Sequence, residues 1–308
     1  MPPITLPPGL PIGSVTTSGQ DVTVSQLLKS SRIIERRIDE AIQPRYWADR
    51  ILPAAGRTDN GFAIFEEWTP EILGLNRLEE ELEPDTEVPL AGITVGELRA
   101  IEATEHGIGY VVERKHERRN SRLIIDRREK AMAYTLAEGQ NRRAVAAVNA
   151  AITTHSRTHS GPDWSAIVTD GAAPTAKENW PHSTIAYVKA LQQKDGAPFV
   201  YDVLLVDPLE KWRLATIYDT DGDDLARRLG VEEVIEDTTG GIAHGQPTLI
   251  ASEGAGGTVE EEATRIEIID EPRRRRKVVQ ATGSRLFYVD NPYGVIRITG
   301  TAVTDLTP

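Results

Sequence analysis

The chain has 308 residues, 39% of them hydrophobic and 27% charged, with a formal net charge of −12. That length can hold two cores. The negative balance argues against tight nucleic-acid binding by the whole surface, because phosphate affinity comes from Lys and Arg. There is no cysteine, which removes disulfides, thiolate metal sites and cysteine nucleophiles.

The opening MPPITLPPGLPIGS lacks the basic start and apolar core of a signal peptide. Pro2, Pro3, Pro7, Pro8 and Pro11 impose extended geometry. Between Asp21 and Ile42 one short helix is expected, carrying Arg32, Arg36 and Arg37. The first fifty or so residues have little core-forming content and read as an arm that a partner holds in place. Removing residues 2–40 is expected to leave the rest folded.

From Asn60 the chain turns acidic. Glu66, Glu67, Glu71, Glu79, Glu80, Glu81, Glu83, Asp85, Glu87, Glu97, Glu102 and Glu105 face only Arg77 and Arg99. ITVGELRAIEA at the end of this stretch has strand character, so a long two-stranded excursion is expected. Scattered Phe62, Ile64, Phe65, Trp68 and Leu82 suit a partner-clasping arm.

Next, GIGYVVERKHERRN places Ile108, Tyr110 and Val112 at strand period, leading directly into a helix that Asn120 or Ser121 can cap. No proline follows until Pro162, so the helix runs to about Thr154, roughly 50 Å at 1.5 Å per residue. Ala133, Ala137, Ala144, Val148 and Ala151 fall on one side, with Ile125, Met132 and Leu136 extending the stripe. Gly139 costs about 1 kcal/mol in helix propensity, and a bend is expected there.

Beyond Ser160-Gly161-Pro162 the pattern is mixed α/β. Pro181 to Gln193 reads as a helix and VYDVLLVDP as a buried strand. Asp207-Pro208 supplies an N-cap and first-turn pair for the next helix, and DDLARRL is a further short helix. Short strands follow at EEVIE, QPTLIAS, TRIEIID, KVVQAT, RLFYVD and GVIRIT, separated by Gly- and Pro-containing turns. The strands from Leu286 to Thr299 are expected to return onto the long helix.

Reactive chemistry is not expected. His155 and His159 are four apart, but no Glu lies between them, and Gly161-Pro162 follows at once. DTDGDD, Asp219 to Asp224, has its glycine in the wrong place for a calcium loop, with Gly230 where a bidentate Glu is required. EGAGGT lacks the phosphate-binding spacing and reads as a turn. No enzyme, cofactor or metal site is indicated. Arg273, Arg274, Arg275 and Arg276 form the sharpest basic cluster, read as an ion-pairing surface at a subunit contact.

The order of these segments resembles that of the tailed-phage major capsid protein, the Hong Kong 97-type shell fold. The likeness is most specific from Glu83 to Ala151, where EPDTEVPLAG precedes ELRAIEATEHGIGYVVERKHERRN and the helix. YDVLLVDPLEKWRLA and FYVDNPYGVIRITG resemble later family segments. The resemblance implies an α+β subunit with an N-terminal arm (1–59) and an extended β-hairpin loop (60–106). It further implies a peripheral domain with the spine helix and closing strands (107–159 and 271–308) and an α/β axial domain (160–270). It implies pentamers and hexamers forming an icosahedral shell around double-stranded DNA, held without sequence-specific binding and without a membrane. The virion capsid, assembled in the host cytoplasm, would be its location.

The family also implies a portal and, in some members, a decoration protein. Because the sequence starts at a methionine ahead of the arm, a separate scaffolding protein is expected rather than a leading scaffolding segment. Some members weld subunits through a loop lysine and an asparagine of a neighbour; here no lysine occurs between Lys29 and Lys115. Encapsulin-type compartments share the fold and are the alternative, with an unrecognised α/β enzyme further behind.

An electrostatic clasp is expected in place of the weld. Glu79, Glu80, Glu81, Glu83, Asp85 and Glu87 crowd six carboxylates into nine residues, which is tolerable in water or opposite positive charge. The matching surfaces are the start of the long helix, with Arg114, Lys115, Arg118, Arg119, Arg122, Arg127 and Arg128, and the cluster Arg273 to Arg276.

Overall fold

The computed structural model describes residues 16–17, 20–21, 24–68, 96–194 and 199–302. Its elements begin with β1 (Thr16–Thr17), β2 (Gln20–Asp21), α1 (Val24–Leu27), α2 (Ser31–Ile42), α3 (Ala48–Ile51) and β3 (Ala54–Arg57). Then come β4 (Phe62–Glu66), β5 (Leu98–Glu102), β6 (Thr104–Glu113), α4 (Arg114–Arg118), α5 (Arg122–Thr154) and β7 (Thr158–Ser160). The remainder is α6 (Pro181–Lys194), β8 (Val203–Val206), α7 (Pro208–Tyr218), α8 (Gly222–Leu229), β9 (Glu233–Glu236), β10 (Thr248–Ile250), β11 (Gly256–Glu271), β12 (Arg276–Val289) and β13 (Val295–Thr299). The α+β chain divides into two units. One gathers Met1–Tyr46, Ala103–Asn141 and Glu260–Leu286; the other gathers Trp47–Glu102, Arg142–Val259 and Phe287–Pro308.

In the first unit β6 pairs antiparallel with β12 over ten positions, from Arg276↔Glu113 to Arg285↔Thr104, and β11 follows on the other side of β12. KVVQAT and RLFYVD, expected as separate short strands, are one continuous strand. Gly283 is the reason: with no Cβ it lets His106 and Thr264 close in, where an added Cβ would stand 3.1 Å from each. Tyr110, Val112, Val279, Ala281 and Ile266 of these strands meet Ile125, Met132, Ala133 and Leu136 of α5 in one core.

Val24, Leu27, Leu28, Ile34, Ile38 and Ala41 join that core, which corrects the reading of residues 24–41 as core-poor. Deleting residues 2–40 would strip five of those side chains, so a truncation that spares the fold must end before Val24. The entry to α5 also differs from expectation, because α4 stands between strand and helix. Asn120 adopts a left-handed φ of 50°, and its Oδ1 accepts from the Val24 N–H at 2.8 Å instead of capping α5.

In the second unit a five-stranded sheet runs β7-β13-β10-β8-β9. β10 is antiparallel to both β13 and β8, while β8–β9 and β13–β7 are parallel. All four residues of β8 are buried, as a strand covered on both faces requires. Ile185 and Val188 of α6, Leu214 of α7, and Leu225 and Leu229 of α8 cover it. Asp207 accepts from the Leu209 N–H at 3.1 Å with Pro208 in the first turn of α7. The acidic DTDGDD is helix punctuation: Asp219 closes α7 in the left-handed region and Asp221 caps α8.

The latter part of α5 buries Val145, Val148 and Ile152, whereas Ala151 is half-buried. Arg297 of β13 donates to Asn149, so the closing strand does return to the helix. Gly256 and Gly257, expected in a turn, open β11. The expected two-stranded excursion is present at its base, where β4 and β5 pair from Phe62↔Glu102 to Glu66↔Leu98.

Two glycines should respond oppositely to alanine. A Cβ at Gly139, inside α5, would meet nothing within 4 Å, whereas one at Gly294 would stand 2.6 Å from the Ala255 Cα. Gly139→Ala should raise stability by up to about 1 kcal/mol, and Gly294→Ala should lower it by about 1–3 kcal/mol. Urea unfolding midpoints check both signs.

Candidate functional site

The register of β6 against β12 brings two stretches of positive charge together in the first unit. Pro272–Arg274 form one 3-10 turn, and Arg275 takes a left-handed φ of 50°, which turns the chain into β12. Because Arg276 sits opposite Glu113, this turn lies beside α4, and the Arg114 N–H donates to the Arg275 carbonyl at 3.0 Å. The result is an open cleft of about 450 Å³ lined by Ser25, Arg114, Glu117, Arg118, Asp270, Pro272, Arg275, Arg276 and Lys277.

Some of its charge is neutralised internally. Lys277 Nζ lies 2.9 Å from Glu117 with both side chains about four-fifths covered, and Arg276 pairs with Glu271. The hydrogen bond from Lys277, followed by its charge, holds the Glu117 carboxyl below the usual range, against burial that pushes it up. Arg276 does the same for Glu271. Arg114, Arg118 and Arg275 also line the cleft and form no ion pair within 4 Å among the described residues, although the charge of Arg114 also acts on Glu117. Clustered cations of this kind suit binding of an anionic surface.

Of the residues expected to form an assembly contact, Arg118, Arg275 and Arg276 line this one cleft. Arg274 is on the same turn, 4.0 Å from Glu271. Arg119, Arg122, Arg127 and Arg273 are not in the lining. Glu79, Glu80, Glu81, Glu83, Asp85 and Glu87 lie outside the described residues. The two basic surfaces that sequence offered as alternatives are therefore partly one. Arg114 of the first cluster and Lys277 beside the second line it too, and only strand register could have joined the two clusters.

The second unit holds a different feature at the root of the β4–β5 hairpin. An isolated two-stranded ribbon is marginal in water, and this one is anchored. Phe65 stacks on Tyr288 with ring centroids 4.8 Å apart, and the Trp68 N–H donates to the Asp290 carbonyl at 2.8 Å. Buried Glu67 forms an ion pair with Arg99, and its other carboxylate oxygen lies against the His155 Nε2. His155, considered above for metal binding, is therefore tied to the hairpin root, and His159 packs against Tyr187. Among the described residues, no three His, Asp or Glu side chains converge as a metal site would need. The other hairpin face exposes Phe62, Ile64 and Leu98, with Ile64 72% accessible.

No protein-family model matches the sequence, and no curated protein sequence is similar to it. Solved structures do share its fold. A phage-related protein from Bordetella bronchiseptica RB50 superposes with a TM-score of 0.60 at 11% identity, covering 87% of this chain and 96% of that one. A virus-like particle from Pyrococcus furiosus gives 0.56 at 10%, covering 87% and 98%. The capsid structure of Cyanophage P-SCSP1u gives 0.54 at 12%, covering 81% and 86%.

Lys277→Ala should cost about 1–2 kcal/mol, since it leaves a largely covered Glu117 without its donor. The sign with pH follows from the lowered Glu117 pKa. The pair's contribution is full above about 4.5, the unfolded value, and is lost as pH falls through the lower folded value. Unfolding midpoints of Lys277→Ala and the parent should therefore converge in acid. What 81–87% of this chain shares with these structures, at 10–12% identity, is the fold of phage capsid and virus-like-particle proteins.

Proposed function

We infer that the chain is a shell subunit, the major capsid protein of a tailed double-stranded DNA phage built on the Hong Kong 97-type plan. The observation that carries this reading is a likeness running through 81–87% of this chain and 86–98% of three solved structures, one of them a phage capsid. The role is structural. Residues 1–59 serve as the arm and 60–106 as the extended loop. Residues 107–159 with 271–308 form the peripheral domain, and 160–270 the axial domain. Copies associate as pentamers and hexamers into an icosahedral shell around DNA, with a separate scaffolding protein, a portal and in some cases a decoration protein. The shell is assembled in the host cytoplasm and becomes the virion capsid.

The likeness to a virus-like particle favours one second reading, an encapsulin-type compartment enclosing protein cargo. Negative-stain electron microscopy of the purified chain tests both. Closed particles are expected, and dispersed monomers under all assembly conditions would remove the shell reading. Nuclease-protected double-stranded DNA in particles from producing cells supports the phage assignment; enclosed protein without DNA supports the compartment. Boiled particles should run as a single band near 34 kDa, because the chain has no cysteine and no lysine between Lys29 and Lys115.

The acidic run Glu79, Glu80, Glu81, Glu83, Asp85 and Glu87 of one copy is proposed to lie against the basic cleft of a neighbour. Arg114, Arg118, Arg275 and Arg276 line that cleft, with Arg119, Arg122, Arg127, Arg273 and Arg274 as flanking charge. Exposed pairs contribute only about 0–1 kcal/mol each, so strength comes from repetition around the particle. Replacing Glu79, Glu80 and Glu81 together by lysine should block closure while circular dichroism stays unchanged. Normal particles from that variant would remove the clasp and leave the shell assignment standing.

A further inference from the structure

The core of the first unit contains a charge cluster that the shell role does not use. Arg37 of α2 is 6% exposed and Glu129 of α5 is 2% exposed. The Arg37 Nη2 lies 2.5 Å from Asp126 and 3.0 Å from Glu129. From β6, the Tyr110 hydroxyl donates to Glu129 Oε1 at 3.4 Å. These are the groups that face Glu129: Arg37 from α2, Tyr110 from β6 and Asp126 from its own helix, with Arg128 acting on the Tyr110 hydroxyl.

The charge count decides how this cluster behaves. One guanidinium serves two carboxylates. Asp126, the more accessible of the two and the closer to Arg37, is sufficient to neutralise it. A second ionised carboxylate at Glu129 would then be an excess buried charge, with only a long phenol hydrogen bond and a shared cation to offset its desolvation. When α2 lifts away, Glu129 gains water and Arg37 leaves with the helix, so the carboxylate ionises freely.

We propose that Glu129 makes the seating of α2 on α5 pH-dependent, a proton-held latch on the helix that delivers the N-terminal segment. The seated state takes up a proton on Glu129 and the lifted state releases it. Burial, partly offset by Arg37, pushes the Glu129 carboxyl up from 4.5 to about 7, which agrees with the count. The sign follows from linkage: seating is tightest in acid, weakens as pH rises from about 4.5 through about 7, and is level above that. An ordinary exposed ion pair would show the reverse. The latch belongs to the subunit whether or not the chain builds shells, so its failure leaves that reading untouched.

The chain has no cysteine, so a single introduced thiol reports on one place. Ala41 lies on the buried face of α2, and Ala41→Cys in the full-length chain can be labelled with a pyridyl disulfide. The protection factor is the rate for the urea-unfolded chain divided by that for the folded chain at the same pH. It should fall roughly ten- to thirtyfold between pH 5.5 and 8, the range expected for a carboxyl moved from 4.5 to about 7.

Adding Glu129→Gln should leave protection high and level across that range. Adding Asp126→Asn leaves Arg37 and Glu129 one-to-one, favours the ionised Glu129, and should shift the fall to lower pH. A fall that stays in place in Asp126→Asn would overturn the latch even if the Gln variant does not fold. Asp39 of α2 also titrates above its ordinary value through burial and Glu35, and any slope it causes would persist in Glu129→Gln. Level protection in the parent, or an undiminished fall in Glu129→Gln, likewise overturns the proposal.

Discussion

The antiparallel pairing of β6 with β12 is the constraint from which the first unit follows. It fixes ten residue pairs, and because side chains alternate across a sheet, a slip of one position would move every apolar residue to the wrong face. Held in this register, Tyr110 and Val112 join Val279 and Ala281 in the core. The same register carries the Arg275 turn to the start of α4, where the Arg114 N–H meets the Arg275 carbonyl. The basic cleft is a consequence of this pairing. Its two halves are about 160 residues apart in sequence, and Lys277 finds Glu117 across that separation.

An acidic chain gains from concentrating its positive charge in this way. Spread over a surface of net charge −12, isolated arginines would be cancelled by nearby carboxylates at Debye distances of about 8 Å. Glu117 and Glu271 pair with Lys277 and Arg276, and Arg114, Arg118 and Arg275 add positive charge to the same cleft. The hairpin root in the other unit uses the opposite chemistry, with exposed Phe62, Ile64 and Leu98 on one face and ring stacking on the other. Apolar contact supplies adhesion and opposed charge supplies selectivity.

Much of the fold was legible because it depends on local rules. Asp207-Pro208 marks a helix start wherever it falls, and the stripe Ile125, Met132, Ala133, Leu136, Ala137 needs no partner to be recognised. What stayed hidden depends on distant partners. Asn120 looked like a cap, but its amide oxygen is taken by Val24, 96 positions away. Gly283 looked like a break between strands, yet it is where Thr264 and His106 close in. In α2 the buried positions Ile34, Arg37, Ile38 and Ala41 do repeat at helical spacing. An arginine in the stripe disguised it as an exposed basic helix. The cleft was half legible, since composition marks both arginine clusters and only tertiary pairing joins them.

That disguise has a physical counterpart in how the two units treat buried acids. Glu210, in the second unit, is as covered as Glu129, and burial pushes it likewise up to about 7, although the Thr301 hydroxyl donates to it at 2.5 Å. A neutral hydroxyl satisfies a lone pair without supplying charge, so desolvation dominates. Glu117 and Glu271, nearer solvent and each facing a full cation, are held low instead. The acids thus fall into two classes with opposite linkage. Surface pairs stabilise the fold above the ordinary carboxylate range, and core acids stabilise it below neutrality. The core keeps carboxylates that burial pushes up toward neutrality, so proton concentration acts on the packing of α2.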